Sequence, residues 1–301
     1  MTTGGNGRRT VHSFTTAPRR VVSLVPSMTG SVFDLGLGDH LVGITDYCLP
    51  PEDALARLVR VGGTRSPDIS KVIDLKPDLV LANQEENSRQ AVEKLEAEGV
   101  RVWVTFPKRV DEAIEILWTL SALFRRPSAG AIIRALEASL DWTERAAQAV
   151  PRQRVFCPIW QDEHDDLGLW WMTFNDQTYA HDLLARLGAD NVFASRVRRY
   201  PLAADLGQGD EQTPAERDTR YPRVRLEEVL AAKPEIILLP TEPFPFTERE
   251  VERVRTVLGS TPAVLNNRVH LVDGSLITWH GTRLGMALRE LPGLLQPITG
   301  L

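Results

Sequence analysis

Four aromatic residues stand apart from the rest: Trp160, Trp171, Phe246 and Trp279. Each sits beside a predicted turn rather than inside an apolar period, with amide, hydroxyl or carboxylate side chains close by in sequence. Broad rings next to a few polar groups suit non-covalent capture of a large, flat, partly apolar ligand with polar arms. Signals for catalysis are weak by comparison. The chain has no G-x-S-x-G, no phosphate-binding G-x-x-x-x-G-K-[ST] loop, no G-x-G-x-x-G and no H-E-x-x-H. The run Asp162-Glu163-His164-Asp165-Asp166 offers metal-ligand types, but neighbours on one loop seldom converge on one centre, so a solvated acidic loop is expected. His280 follows Trp279 at a predicted strand end, where it either meets a ligand or caps the next helix. His181 is expected to pack on its own helix, and Cys48 and Cys157 to be buried.

These residues need elements to hold them, and the chain repeats itself in supplying them. The segment VIDLKPDLVL (72–81) matches VLAAKPEIIL (229–238): a helix end, a Lys-Pro stop, then an unbroken apolar strand. Proline lacks the N–H that would continue the helix. A strand with no polar alternation is buried on both faces, as in a parallel sheet covered by helices. Arg20-Val21-Val22 matches Arg154-Val155-Phe156, and Leu37-Gly38-Asp39 matches Leu187-Gly188-Ala189-Asp190, in the same order. The expected fold class is therefore α/β: two Rossmann-like lobes with central parallel sheets. The expected parts are a disordered tail (1–17), an N-terminal lobe (18–124), a linking helix (125–151) and a C-terminal lobe (152–301). No proline or glycine interrupts residues 131–150, whose apolar positions fall at helical spacing. One stiff helix there would set the strand ends of the two lobes face to face.

Ligands of open parallel sheets bind beyond the carboxyl ends of the strands. The candidate binding residues are therefore those just past each strand end. In the first lobe they are Ser27, Met28, Thr29, Asp46, Tyr47, Asn83, Gln84, Glu85 and Phe106. In the second they are Trp160, Trp171, Phe174, Glu242, Phe246, Trp279 and His280. No residue is assigned to catalysis or to a resident metal.

Composition bounds the partners. The 301 residues carry a formal charge of −5, without a long basic run, which argues against nucleic acid. Two distant cysteines make neither a disulfide framework nor a zinc pattern. The start, MTTGGNGRRTVHSFTTAPRR, has no apolar core of about 7–15 residues and does not read as a secretory signal. A cytoplasmic location is expected as written, and an extracytoplasmic one if the true start differs. The polar stretch 196–221, with its Gly and Pro, reads as a long exposed loop at the edge of the expected crevice, a lid or a surface excursion.

VVSLVPSMTGSVFDLGLGDHLVGIT (21–45), VGGTRSPDISKVIDLKPDLVLA (61–82), the long helix and YPRVRLEEVLAAKPEIILLP (221–240) together resemble the cobalamin-binding substrate-binding proteins of ABC transporters. These belong to the helical-backbone metal receptor group, with iron–siderophore and haem receptors as cousins. The resemblance covers about 19–301. It implies the class III periplasmic-binding-protein architecture, with a corrinoid or related metal chelate held in the cleft between two lobes, no catalytic cofactor, a monomer, and an ABC permease as a partner to be tested. It also implies an acidic docking residue on each lobe. Glu227 fits on the second lobe; on the first, Ser70 stands at the equivalent place, with Asp68 nearby. Two other readings remain open at this point. One is a cytoplasmic handler or enzyme acting on a tetrapyrrole. The other is a receptor for an iron–siderophore, for haem, or for a free metal ion held by His280, His164 and Glu242.

Overall fold

A computed structural model of the chain describes residues 16–297, so the expected tail lies almost wholly outside the described residues. The chain forms two compact units. The first comprises residues up to Pro107, Asp111–Glu137 and His280–Arg283; the second comprises Lys108–Val110, Ala138–Trp279 and the residues from Leu284 on. No described helix is long and apolar enough to cross a membrane.

Unit 1 alternates strands and helices: β1 (Val21–Ser23), α1 (Pro26–Asp34), β2 (Leu41–Ile44), β3 (Val59–Arg60), α2 (Ile69–Asp74), β4 (Leu79–Asn83), α3 (Arg89–Ala97), β5 (Val102–Thr105), α4 (Val110–Leu123) and the first half of α5 (Ala129–Gln148). The strands make one parallel sheet in the order β3-β2-β1-β4-β5. Every residue of β1 and β4 is buried, as their unbroken apolar character requires. Val22, Leu24, Val80, Ala82, Leu95 and Val102 pack one face of the core. Pro26 opens α1, where its missing N–H has no helical partner to lose. The helix α5 has 20 residues, about 30 Å, slightly shorter than the segment between Pro127 and Pro151 permits.

Unit 2 continues with β6 (Gln153–Phe156), β7 (Trp160–His164), β8 (Gly168–Met172), α6 (Tyr179–Arg186), β9 (Ala189–Asn191), α7 (Leu202–Asp205), β10 (Arg223–Arg225), α8 (Leu226–Ala232), β11 (Ile236–Pro240), α9 (Glu248–Val257), α10 (Pro262–Leu265), β12 (Val269–Val272), α11 (Ser275–Thr278) and α12 (Leu284–Leu295). Its parallel sheet runs β12-β11-β6-β9. A second, antiparallel sheet, β10-β8-β7, departs from the expected repeat. Phe156 joins the two sheets, meeting Trp171 at 5.9 Å and Phe193 at 5.5 Å in edge-to-face geometry.

The repeat extends to individual contacts. The backbone N–H of Arg20 donates to the Asp78 carboxylate at 2.9 Å, and that of Arg154 to the Glu235 carboxylate at 2.8 Å. The Arg20 guanidinium donates to the Leu75 carbonyl and the Arg154 guanidinium to the Ala232 carbonyl, both at 2.7 Å. Lys76 and Lys233, the two residues before the helix-stopping prolines, both adopt left-handed backbone, with φ of 47° and 46°. Residues 196–221 form the expected exposed loop mainly over 207–213 and 215–218, and the rest is held to the unit. The segment includes α7, whose Asp205 is fully buried and gathers three partners: the Arg196 guanidinium at 3.2 Å and the backbone N–H groups of Arg199 and Arg223.

Candidate functional site

In unit 1, the carboxyl end of the sheet is organised by Asn83, the last residue of β4. Its carboxamide oxygen accepts the Glu85 N–H at 2.8 Å, its Nδ2 lies 3.4 Å from Thr105 Oγ1 and 3.3 Å from His280 Nε2, and its backbone N–H donates to Asn87 Oδ1 at 2.7 Å. Asn87 in turn donates to the carbonyls of Leu24 and Thr64. This network fixes the 84–87 turn, leaving Gln84 exposed and Glu85 half-buried. Asn83 itself is buried and spends its polar atoms on the protein. His280 is 6% exposed, and burial lowers its pKa to about 4, so the ring is neutral at pH 7. It belongs with unit 1 because the following residues dock on α1. Thr282 donates from its N–H to Ser31 Oγ at 3.1 Å and from its hydroxyl to Asp34 at 2.6 Å.

The β2 end presents Asp46 and Tyr47 outward, the latter 65% exposed. Arg60 holds this turn from beneath by donating to the carbonyls of Thr45 at 2.6 Å and Cys48 at 2.8 Å. Thr29 and Thr45 each place Oγ1 3.1 Å from the Cys48 sulfur, whose pKa is raised chiefly by burial. Ser27, Met28 and Thr29 therefore correct the expectation of a ligand-facing turn. They are buried in the first turn of α1, and the Thr29 hydroxyl donates inward. Phe106, after β5, is half-buried.

In unit 2 the small antiparallel sheet does the sorting. Trp160, Met172 and Arg223 are direct cross-strand partners, as are Gln161, Trp171 and Val224 in the next row. Adjacent rows point to opposite faces. The Trp171 row faces the core, with Trp171 and Val224 0% exposed. The Trp160 row faces outward, and Trp160 is 40% exposed. Trp160 packs edge-to-face on Phe244 at 5.4 Å, and Phe244 on Phe246 at 4.7 Å. Only the first two rings reach the surface, because Phe246 is a core residue. Trp171, Phe174 and Phe246 thus correct the expectation of a wall of exposed rings: all three pack the interior of the unit, where burying such a side chain contributes about 1.5–3 kcal/mol. Glu242 and Trp279 are half-buried, and the Glu242 carboxylate accepts from Thr278 Oγ1 at 3.2 Å.

The acidic run 162–166 lies in and after β7. Asp162 pairs with His164 at 3.3 Å and Glu163 with Arg253 at 2.7 Å, on exposed side chains. Among the described residues, no group of three His, Cys, Asp or Glu is placed to hold a metal ion. Both cysteines are buried, as expected. The docking candidate Glu227 is the second residue of α8 and exposed; Ser70 is the second residue of α2 and also exposed. Asp68, the alternative acid, caps α2 through the Lys71 N–H at 3.1 Å. Sequence reasoning missed Arg60, Met172, Phe244 and Arg223. Gly168–Met172 is apolar without alternation, so Met172 and Arg223 are sorted to one face only by the pairing of that strand with Arg223–Arg225.

The sequence profile of the periplasmic binding protein family matches residues 21–276, most of both units. The chain belongs to that family. A vitamin B12-binding protein of Photorhabdus laumondii is 27% identical over 229 residues, covering 76% of this chain and 73% of that one. Two solved structures share the fold at 22% identity and a TM-score of 0.71. They are the periplasmic vitamin B12 binding protein BtuF of Vibrio cholerae, covering 93% of this chain and 97% of its own, and a periplasmic haem-binding protein of Pseudomonas aeruginosa, covering 94% of each. The two-lobed α/β architecture of this periplasmic binding protein, with its parallel sheets and long α5, is the fold class expected from the repeat, and its class III topology is the one the resemblance implied.

Proposed function

We propose that this periplasmic binding protein captures a corrinoid or a related planar metal chelate without altering it chemically. The observation that carries the reading is Trp160, an indole left 40% exposed at the strand-end side of unit 2 and propped edge-on by Phe244. The indole, with the phenyl ring set against it, offers a flat aromatic face, and covering it with a macrocycle at about 25 cal/mol per Å² supplies affinity. On unit 2, Glu242 and Trp279 are half-buried; on unit 1, Asp46, Tyr47 and Gln84 are exposed and Glu85 and Phe106 half-buried, so each unit carries polar and aromatic side chains of its own. The family relatives named for vitamin B12 and haem support the same ligand class. The proposed partner is an ABC permease docking at Glu227, with Ser70 weakening the matching contact on unit 1.

The experiment is a titration of purified protein with cyanocobalamin, cobinamide, haemin and a ferric siderophore, read by tryptophan quenching and visible absorbance. Saturable one-to-one binding of at least one chelate is expected. No response to any of them removes the proposal. Fractionation of native cells separates a transporter-linked receptor, recovered outside the inner membrane, from a handler recovered in the cytosol.

A further inference from the structure

Between residues 196 and 225 the chain carries seven arginines, and they are not equally committed. Arg196 pairs with Asp205 at 3.2 Å and Glu228 at 3.3 Å; Arg220 pairs with Asp218 at 2.6 Å; Arg225 reaches Glu227 at 4.0 Å. Those contacts, with the Arg199 and Arg223 backbone N–H groups on Asp205, occupy the nearby carboxylates. Among the described residues, no carboxylate makes an ion-pair contact with the guanidinium of Arg198 or Arg223. Arg198 lies over the Tyr200 ring at 4.2 Å and Arg223 over Trp170 at 5.9 Å, with Arg223 Nη1 donating to the Tyr221 carbonyl at 2.8 Å and no donation from its Nη2 to a carboxylate among the described residues. The Nε of each is buried without a hydrogen-bond partner. Burial, and next the like charge of Arg198, pull the Arg223 pKa down to about 10 against the opposing influence of Asp205.

Arg223 also occupies a defined place relative to the aromatic surface. It is the cross-strand partner of Met172, which is the partner of Trp160, so all three side chains leave the same face of the sheet. Two strand spacings of about 4.8 Å set Arg223 roughly 10 Å from Trp160 along that row. A macrocycle covering Trp160 would carry its peripheral arms to that distance.

We infer that Arg223, backed by Arg198, anchors a carboxylate arm of the bound chelate, so that the preferred ligand is a chelate with anionic side arms rather than a neutral one. The planar guanidinium presents two parallel N–H donors that match a carboxylate, and it keeps its charge at any physiological pH. The carboxylate would also neutralise the repulsion between the two arginines. This rests on the proposed chelate binding and narrows it.

The test compares haemin, which has two propionates, with haemin dimethyl ester, and cyanocobalamin with the corrinoid acid made by hydrolysing one of its side-chain amides. For the wild type, each acid should bind about tenfold more tightly than its neutral counterpart, and raising KCl from 50 to 500 mM should weaken only the acids. Arg223→Gln should abolish the preference by weakening the acids about tenfold more than the esters; Arg223→Lys should retain part of it. Circular dichroism monitors folding, and should Arg223→Gln fail to fold, Arg198→Gln and the salt series decide the matter. Equal affinity for acid and ester, or equal losses for both in Arg223→Gln, overturns the inference. If every chelate binds without charge preference, only this inference falls; if none binds, the proposed function falls with it.

Discussion

Asn83 and His280 lie 197 residues apart in the chain and meet at 3.3 Å, carboxamide nitrogen to ring Nε2, inside unit 1. The contact brings a C-terminal residue to the end of β4. Burial pulls the His280 pKa down to about 4 against an ordinary value of 6.5. The folded state therefore resists protonating the ring, while the unfolded chain accepts the proton below pH 6.5. Between these values the unfolded state binds more protons, so stability falls as pH drops from about 6.5 to 4 and is unaffected by this group above that window. The difference of about 2.5 pH units corresponds to an upper bound on the order of 3 kcal/mol. Thermal melts of wild type and His280→Gln across pH 4–8 check this. The variant should lose less stability than wild type on acidification, and parallel curves would contradict it.

Gly281, the next residue, has φ of +89°, a region that disfavours L side chains. A Cβ built there would collide with the Ser31 hydroxyl, which accepts the Thr282 N–H. Gly281→Ala should cost roughly 1–3 kcal/mol through backbone strain and loss of the Thr282 contact. Urea denaturation at pH 7 measures it. A variant as stable as wild type would mean that the 280–283 segment does not dock on α1 as described.

The parallel sheets were legible because one interior strand of each, β4 and β11, is an apolar run behind a Lys-Pro stop, and the two halves repeat even to the Arg20–Asp78 and Arg154–Glu235 contacts. Long-range pairing beyond that repeat was not. The β7–β8 hairpin pairs segments of opposite character, an acidic WQDEH and an apolar GLWWM, so the alternation that separates Trp160 from Trp171 emerges only once their register is known. For the same reason the strand-end rule found the right loops but not which side chains leave them. Phe174 and Phe246 sit in loops yet turn inward, and Trp171, Met28 and Thr29 belong to β8 and α1, where they are buried too. Asp205 was unreadable because its three partners come from both flanks of the 196–221 excursion.

Trp160 and Trp171 offer a controlled contrast, since they occupy neighbouring rows of one sheet. Trp171→Ala removes a fully buried indole and should destabilise the protein by about 3–5 kcal/mol. Trp160→Ala removes a partly exposed ring and should cost under about 1 kcal/mol, while weakening chelate binding at least tenfold. Melting temperature and the chelate titration separate the two effects. If Trp160→Ala binds chelates as wild type does, the exposed aromatic pair is not the binding surface.

Glu227 stands exposed in the first turn of α8, where a carboxylate complements the positive end of the helix, and its nearest cation is Arg225 at 4.0 Å. An exposed pair at that distance contributes little to stability, under about 1 kcal/mol. Glu227→Ala should therefore melt within a degree or two of wild type and bind chelates with unchanged affinity. It should weaken association with the proposed ABC permease, measured by binding to the detergent-purified transporter. At the matching place on α2, Ser70→Glu should strengthen the same association, because it restores an acid at the second residue of the helix. If neither substitution changes transporter binding, the two helix starts are not the docking points, and the resemblance to transporter receptors stops at the fold and the ligand.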